Sequence, residues 1–404
     1  MLVLRLTALS VPFILAEDSR RPARPRRRRT RAISVSSQLI PQAQRGEAVP
    51  LSTAHAGRRV DNDPLCRRLV AAVGLRLTLA VWVSTSALLG ACGGSASPAS
   101  PTHGGVREMS ATARSYFTQL LDIMQANSIY RKTIDWPAFR QTAVGVDSNE
   151  QTIGDLYPRI RAALSLLNDH HSFYVGPDAT VIRSPPVASA CNDPTPPPVQ
   201  VPNDIGYVRV GSFSGIGAGE TEFAQGIQDA IRAGDRASSA GWIVDVRNNS
   251  GGNMWPMVAG VGPILGNGTA GGFVDPDGNA TWWGYQDNAS IYDGSPLVTV
   301  PTPYRLLSAN PRVALLTNCR VASSGEAVVI GFRGRPDTRS FGTATFGLST
   351  SNDEFPLTGG GTLFLCTSTM ADRTRRMYGN AVAPDEQVTD PAETVRRAIE
   401  WLRQ

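Results

Sequence analysis

Residues 318–326 read N-C-R-V-A-S-S-G-E, between the apolar runs Val313-Ala314-Leu315-Leu316 and Ala327-Val328-Val329-Ile330. This pattern predicts a buried strand, a tight turn of small residues and then a helix. A serine hydroxyl can stand at the top of such a turn. The N–H groups that follow open the helix and favour developing negative charge. Acyl transfer needs that combination of nucleophile and charge-stabilising donors. Taken alone, the same residues also read as a helix cap, with Ser323 and Ser324 capping and Glu326 in the first turn.

A serine nucleophile needs a base, and the histidines are few. Beyond Cys92 only His103, His170 and His171 occur. His103 falls in a flexible stretch, so a histidine base would be His170 or His171. The alternatives for the pair are a helix-end cap, where the dipole favours histidine, or a metal site with Asp169. No further His or Cys cluster completes such a site. Residues 245–253, D-V-R-N-N-S-G-G-N, follow a second buried run, Trp242-Ile243-Val244. Glycines there let backbone approach a substrate and aim N–H groups at it. A phosphate loop does not fit, because the G-x-x-x-x-G-K-[ST] order is missing and the one lysine of the chain is Lys132.

The elements that would position these residues follow from periodicity. Tyr116, Leu120, Ile123 and Met124 recur at helical spacing, as do Ile160, Ala163, Leu164 and Leu167. Asp135-Trp136-Pro137 reads as a helix start. These predict a helical subdomain over 108–175. A proline-rich linker follows over 176–204, and an α/β domain with both sheet faces covered over 205–404. Within the α/β domain a Gly/Trp-rich insertion is expected from about residue 266 to 300. The last helix shows Val395, Ile399 and Leu402 on one face.

The net charge of +5 hides two unlike parts. Residues 1–91 carry 15 arginines against 5 acidic residues, whereas residues 92–404 carry 24 basic and 29 acidic ones. The mildly acidic body excludes a nucleic-acid-binding surface. The arginine-rich first 65 residues read as a disordered tail or as sequence upstream of the true start, near Val60 or Leu65. From Arg67-Arg68 a basic n-region, an apolar stretch over 69–88 and Leu89-Gly90-Ala91-Cys92 match a bacterial lipoprotein signal, with Cys92 as the lipidation site. An uncleaved membrane anchor is the other reading. Residues 92–107 would then be a tether. Export would leave Cys191, Cys319 and Cys366, enough for one disulfide and one free thiol, and sequence does not choose the pair.

Four stretches in order carry a family resemblance: L-N-D-H-H-S (167–172), D-V-R-N-N-S-G-G-N-M-W-P-M (245–257), V-A-S-S-G-E (321–326) and A-D-R-T-R-R-M-Y-G-N-A-V-A-P-D (371–385). Together they resemble the C-terminal-processing (tail-specific, tricorn core) serine peptidases, in the nisin resistance protein-like branch. The resemblance covers roughly residues 108–404. It implies an α/β, ClpP/crotonase-like catalytic domain with a small N-terminal helical subdomain and no PDZ domain. It also implies Ser323 as nucleophile, His171 as base, and an oxyanion hole from the Ser324 N–H and a glycine of Gly251-Gly252. Asp169 or Asp372 would orient the imidazole, Glu326 would be structural, and Pro384-Asp385 would be a fold signature. Tail-specific members place a lysine base in T-F-G-K-G. Here Thr345-Phe346-Gly347-Leu348-Ser349 has leucine at that position, which points to the Ser–His branches. The implied activity is peptide hydrolysis near the C-terminus of peptides or unfolded chains, with no cofactor or metal, by an exported, lipid-anchored envelope protein. The alternative is a catalytically silent ligand- or peptide-binding lipoprotein on the same fold, suggested by the D-H-H sequence and by Val321 where threonine is common.

Overall fold

The computed structural model describes residues 108–145, 148–185 and 191–404. The expected leader, the Cys92 lipidation site and the tether lie outside them. Three helices open the described chain: α1 (Ala111–Asn127), α2 (Trp136–Val144) and α3 (Tyr157–Leu167). Ser110 and Asp135 cap the first two by accepting the N–H groups of Ala113 and Ala138. The short strands β1 (Phe173–Val175) and β2 (Val181–Arg183) follow, the second inside the stretch expected as linker. Next come β3 (Ile205–Arg209), α4 (Ala218–Gly234), β4 (Gly241–Asp245) and α5 (Met254–Leu265). The expected insertion is instead four antiparallel strands, β5 (Gly268–Val274), β6 (Ala280–Gln286), β7 (Ala289–Tyr292) and β8 (Ser295–Thr299). Its glycines and asparagines obscured the two-residue alternation that marks strands. The chain ends with β9 (Val313–Thr317), α6 (Ser324–Phe332), β10 (Thr338–Gly342), β11 (Thr350–Pro356), β12 (Thr362–Asp372), β13 (Glu386–Gln387) and α7 (Pro391–Leu402).

Two sheets result. The parallel one runs β13-β10-β9-β4-β3. Strands β4 and β9 are buried at every residue, as strands covered on both faces must be. Their side chains alternate between two cores. Trp242, Val244, Val313 and Leu315 face α5 and α6, and Ile243, Ala314 and Leu316 face Ala398 and Leu402 of α7. The second sheet, β2-β1-β12-β5-β6-β7-β8 with β11 on β12, is antiparallel. Trp283 of that sheet joins the core around α5 and α6, so both helices lie between the sheets. The architecture is mixed α/β.

Helices α1–α3 do not close a core among themselves. Tyr116, Phe117, Leu120, Met124, Ile160 and Leu164 pack with Tyr174, Leu357, Leu363 and Leu365, so β1 and β12 floor the helical lobe. No helix among the described residues is long and apolar enough to cross a membrane.

Cys191 and Cys319 form a disulfide across 128 residues, and Cys366 is the buried free thiol. Cross-linking so large a loop restricts the unfolded chain and is worth about 2–5 kcal/mol. Thermal unfolding should therefore show a lower Tm for wild type with dithiothreitol than without. The Cys191→Ser/Cys319→Ser double variant should show the lower Tm under both conditions. Equal Tm values for wild type in both conditions would contradict the pairing.

Candidate active site

Between β9 and α6 the chain turns sharply, and Ser323 occupies the corner with φ 53° and ψ −120°. A non-glycine residue there costs on the order of 1–3 kcal/mol, so the surroundings must hold it. The Ser323 N–H donates to Glu326 Oε2 at 2.8 Å. Glu326 is fully buried. Its carboxylate also accepts Thr345 Oγ1 at 2.6 Å and the N–H groups of Gly347 at 2.9 Å and Leu348 at 2.7 Å. Burial pushes this carboxyl up to about 7, against the pull of those donors. Leu348, where tail-specific enzymes have lysine, contributes a backbone donor to this hub and a buried apolar side chain.

The turn is also tied to the loop after β4. Ala322 N–H donates to Asn249 O at 3.0 Å, and Asn248 N–H donates to Asn318 Oδ1 at 3.0 Å. Gly251 has φ +99°, and a Cβ on it would lie 2.8 Å from Ser323 Cβ, so glycine lets the loop touch the corner.

The second chemical group arrives from the helical lobe. Asn168 closes α3 in the left-handed conformation. Asp169 Oδ1 then accepts the N–H groups of His171 at 2.9 Å and Ser172 at 2.8 Å. His171 Nε2 lies 2.9 Å from Ser323 Oγ. Its Nδ1 lies 2.8 Å from Thr350 Oγ1, and its backbone oxygen accepts Asn352 Nδ2 at 3.0 Å. Burial, with a smaller contribution from the Arg183 charge, lowers His171 to about 4. Arg183 reaches this region by lying over the Phe173 ring at 4.4 Å. His170 is exposed and belongs to no part of this contact network.

The ring nitrogens bond to neither of the residues expected to orient the imidazole. Neither Asp169 nor Asp372 touches the ring, whose Nδ1 partner is Thr350. Asp372 instead holds a turn by accepting the Thr374 N–H, the Thr374 hydroxyl, the Arg376 N–H and the Tyr378 hydroxyl. Sequence reasoning missed Thr350 because a threonine in a strand carries no chemical signal of its own. Its aim depends on the pairing of β11 with β12, whose register shifts between Ser351 and Asn352.

The expected oxyanion donors divide. Gly251 N–H donates to Asn249 Oδ1 at 2.9 Å, so that donor is spent. The N–H groups of Gly252 and Ser324 meet no acceptor among the described residues. Ser324 Oγ donates to Gly252 O at 2.5 Å, which ties the two residues together. Ser324 opens α6 and Gly252 lies just before α5, whose N-cap is Asn253. Two helix N-termini therefore converge beside Ser323, an arrangement that favours negative charge. Among the described residues the one cluster with metal-ligand proximity is Cys191, Asp193 and Cys319. Its sulfurs are joined in the disulfide and offer no thiolate.

The burial of His171 has a direct consequence. In 15N-histidine-labelled protein its imidazole should titrate near 4, well below the unfolded value of about 6.5. Unfolding then takes up a proton between those values, so stability falls as pH drops through that window. An imidazole titrating above 6 would contradict the burial argument.

The peptidase family S41 model matches residues 204–388. That span includes Ser323 and Gly252 and leaves His171 outside. Nisin-resistance protein of Lactococcus lactis subsp. lactis is 24% identical over 289 residues, which is 71% of this chain and 86% of that protein. A lipoprotein from Streptococcus agalactiae shares the fold, with TM-score 0.56 and 24% identity over 72% of this chain and 96% of that one. The photosystem II D1 C-terminal processing protease superposes with TM-score 0.48 and 16% identity, covering 72% of this chain and 100% of that one. Residues 204–388 thus carry a peptidase family S41 domain, and the chain is similar to nisin-resistance protein over most of that protein's length.

Proposed function

We propose that this chain is a serine endopeptidase working by a Ser–His acyl-enzyme mechanism. The observation that carries the reading is the 2.9 Å approach of His171 Nε2 to Ser323 Oγ, two groups 152 residues apart in sequence. Ser323 Oγ attacks the peptide carbonyl carbon as its proton passes to Nε2. The resulting oxyanion takes hydrogen bonds from the Ser324 and Gly252 N–H groups at the two helix N-termini. Collapse breaks the C–N bond, and the imidazolium gives its proton to the leaving amine. Water then attacks the acyl-enzyme as Nε2 takes its proton; collapse breaks the acyl–Oγ bond, Nε2 returns the proton to Ser323 Oγ, and the acid product leaves. A neutral imidazole is the competent base, and the depressed pKa of His171 keeps it neutral well into the acidic range.

The catalytic domain in this reading is of the ClpP/crotonase type and acts without a PDZ domain on peptides or unfolded chains, near their C-termini. The protein is exported and held at the cell envelope by lipid on Cys92. The nisin-resistance homologue and the lipoprotein of like fold support an envelope location.

A fluorophosphonate probe should label wild type and leave Ser323→Ala unlabelled. Peptide-library cleavage read by mass spectrometry should fall by about 10³-fold or more in both Ser323→Ala and His171→Ala. Wild type that neither labels nor cleaves would favour a silent binding protein on this fold, and full activity in His171→Ala would remove the base assignment. Cys92→Ser should move the expressed protein from the membrane fraction to the soluble one; retention in the membrane fraction would contradict lipid anchoring.

A further inference from the structure

The turn that carries Ser323 has two limbs, and Glu326 holds the corner from the α6 side. The incoming limb, residues 318–322, is anchored near its start on two sides. On one side Asn318 pairs with Asn248, its Oδ1 accepting the Asn248 N–H at 3.0 Å and its Nδ2 donating to Asn248 Oδ1 at 2.7 Å. On the other side Cys319 meets the proline-rich segment that precedes β3. Its N–H donates to Asp193 Oδ2 at 3.0 Å, and its sulfur is bonded to Cys191. The same Asp193 oxygen accepts the Thr343 hydroxyl. Cys319 follows β9 and Thr343 follows β10, so one carboxylate oxygen clasps the ends of two paired strands where the serine turn begins.

Little else keeps Asp193 in that place. Residues 191–201 form no helix or strand, and Pro194, Pro196, Pro197 and Pro198 bring no N–H to a ladder. The disulfide two residues before Asp193 is the covalent fastening of this strap to the turn. It closes a sequence separation of 128 residues. Once it is cut, Asp193 must find the Cys319 N–H from the end of an unfastened segment, and chain entropy opposes that. Cys191, Asp193 and Cys319 are each half-buried, so a small dithiol reaches the sulfurs.

We infer that Asp193 is a positioning residue for the Ser323 turn, and that the Cys191–Cys319 disulfide makes its hold conditional on oxidation. A dithiol reductant breaks the S–S bond. Two electrons and two protons pass to the cysteine sulfurs as the reductant closes to its own disulfide, and the strap is released. The incoming limb then loosens, while Glu326 and Asn248 keep their bonds. The rate consequence rests on the reading of Ser323 as nucleophile; the loosening of the turn does not. Misplacing a reacting group by about 1 Å costs on the order of 10²-fold in rate, which sets the scale of the effect.

Two readouts test this: amide hydrogen exchange over residues 318–323, and kcat and KM on a library peptide that the protein cleaves. Well below the Tm, dithiothreitol added to wild type should speed exchange at 318–323 and leave α6 protected. It should lower kcat about 10- to 100-fold with KM little changed, and reoxidation should restore both readouts. Asp193→Ala keeps the disulfide and should speed the same amides, with kcat down about 10-fold. Asp193→Asn should return both readouts to wild type. Both donors bond Oδ2, the other oxygen meets no donor among the described residues, and one amide oxygen has lone pairs for two donors. Unchanged exchange in folded Asp193→Ala overturns the inference, as does faster exchange spread evenly over the protein, or an Asp193→Asn variant as impaired as Asp193→Ala. Should Asp193→Ala not fold, unchanged exchange in reduced, folded wild type overturns it. Faster exchange at 318–323 with unchanged kcat removes the positioning role. An absence of turnover in every protein counts against the peptidase reading alone, since exchange is read without substrate.

Discussion

The Glu326 carboxylate is the constraint on which the rest depends. Ser323 sits in a backbone conformation that side-chain-bearing residues avoid, and the turn relaxes unless something holds its N–H. Glu326 does so with one oxygen and binds the strand-to-strand connection at Thr345, Gly347 and Leu348 with the remaining capacity. Four donors saturate the group, which is what a sealed carboxylate requires. The same bonds fix the start of β11, and therefore the position of Thr350. One buried acid thus locates both the serine and the residue behind the histidine.

The imidazole is located by a separate set of interactions. His171 leads directly into β1, and β1 pairs with β12 in a register that sets Phe173 opposite Phe364, their rings stacked at 4.4 Å. A slip of one residue would turn every side chain of β1 to the other face. β12 pairs at once with β1, β5 and β11, so it carries the lobe of α1–α3, the rest of its sheet and the strand of Thr350 together. The 2.9 Å contact between His171 and Ser323 is therefore set by packing of two sheets about α5 and α6, with little left to the loops themselves.

How much of this could be read beforehand depended on how rare each residue type is. The imidazole was legible because the body of the chain holds so few histidines, and the serine because its turn lies between two unbroken apolar runs. The parallel core was legible for the same reason, since strands buried on both faces read as continuous hydrophobic stretches. Strands β5–β8 were hidden because tryptophan, glycine and asparagine break the alternation. Two adjacent glycines look alike in sequence. Only the contact of Gly251 N–H with Asn249 separates the spent donor from the open one. Thr350 belonged to the same class of hidden residue, because its meaning comes from β-pairing across a register shift.

The departure at Leu348 makes chemical sense in this setting. A lysine base must be stripped of water to be neutral and active near pH 7. With leucine there, the position adds no cation beside a carboxylate that already serves four donors. His171 Nε2 instead approaches Ser323 Oγ, on a ring whose burial keeps it uncharged. Its nearest support is a neutral hydroxyl, so no anion beside the ring raises its affinity for protons. On the proposed peptidase reading, a site built this way gives up base strength and gains a base that is unprotonated over a wide range of pH, provided that the ring is held in the tautomer that leaves Nε2 open.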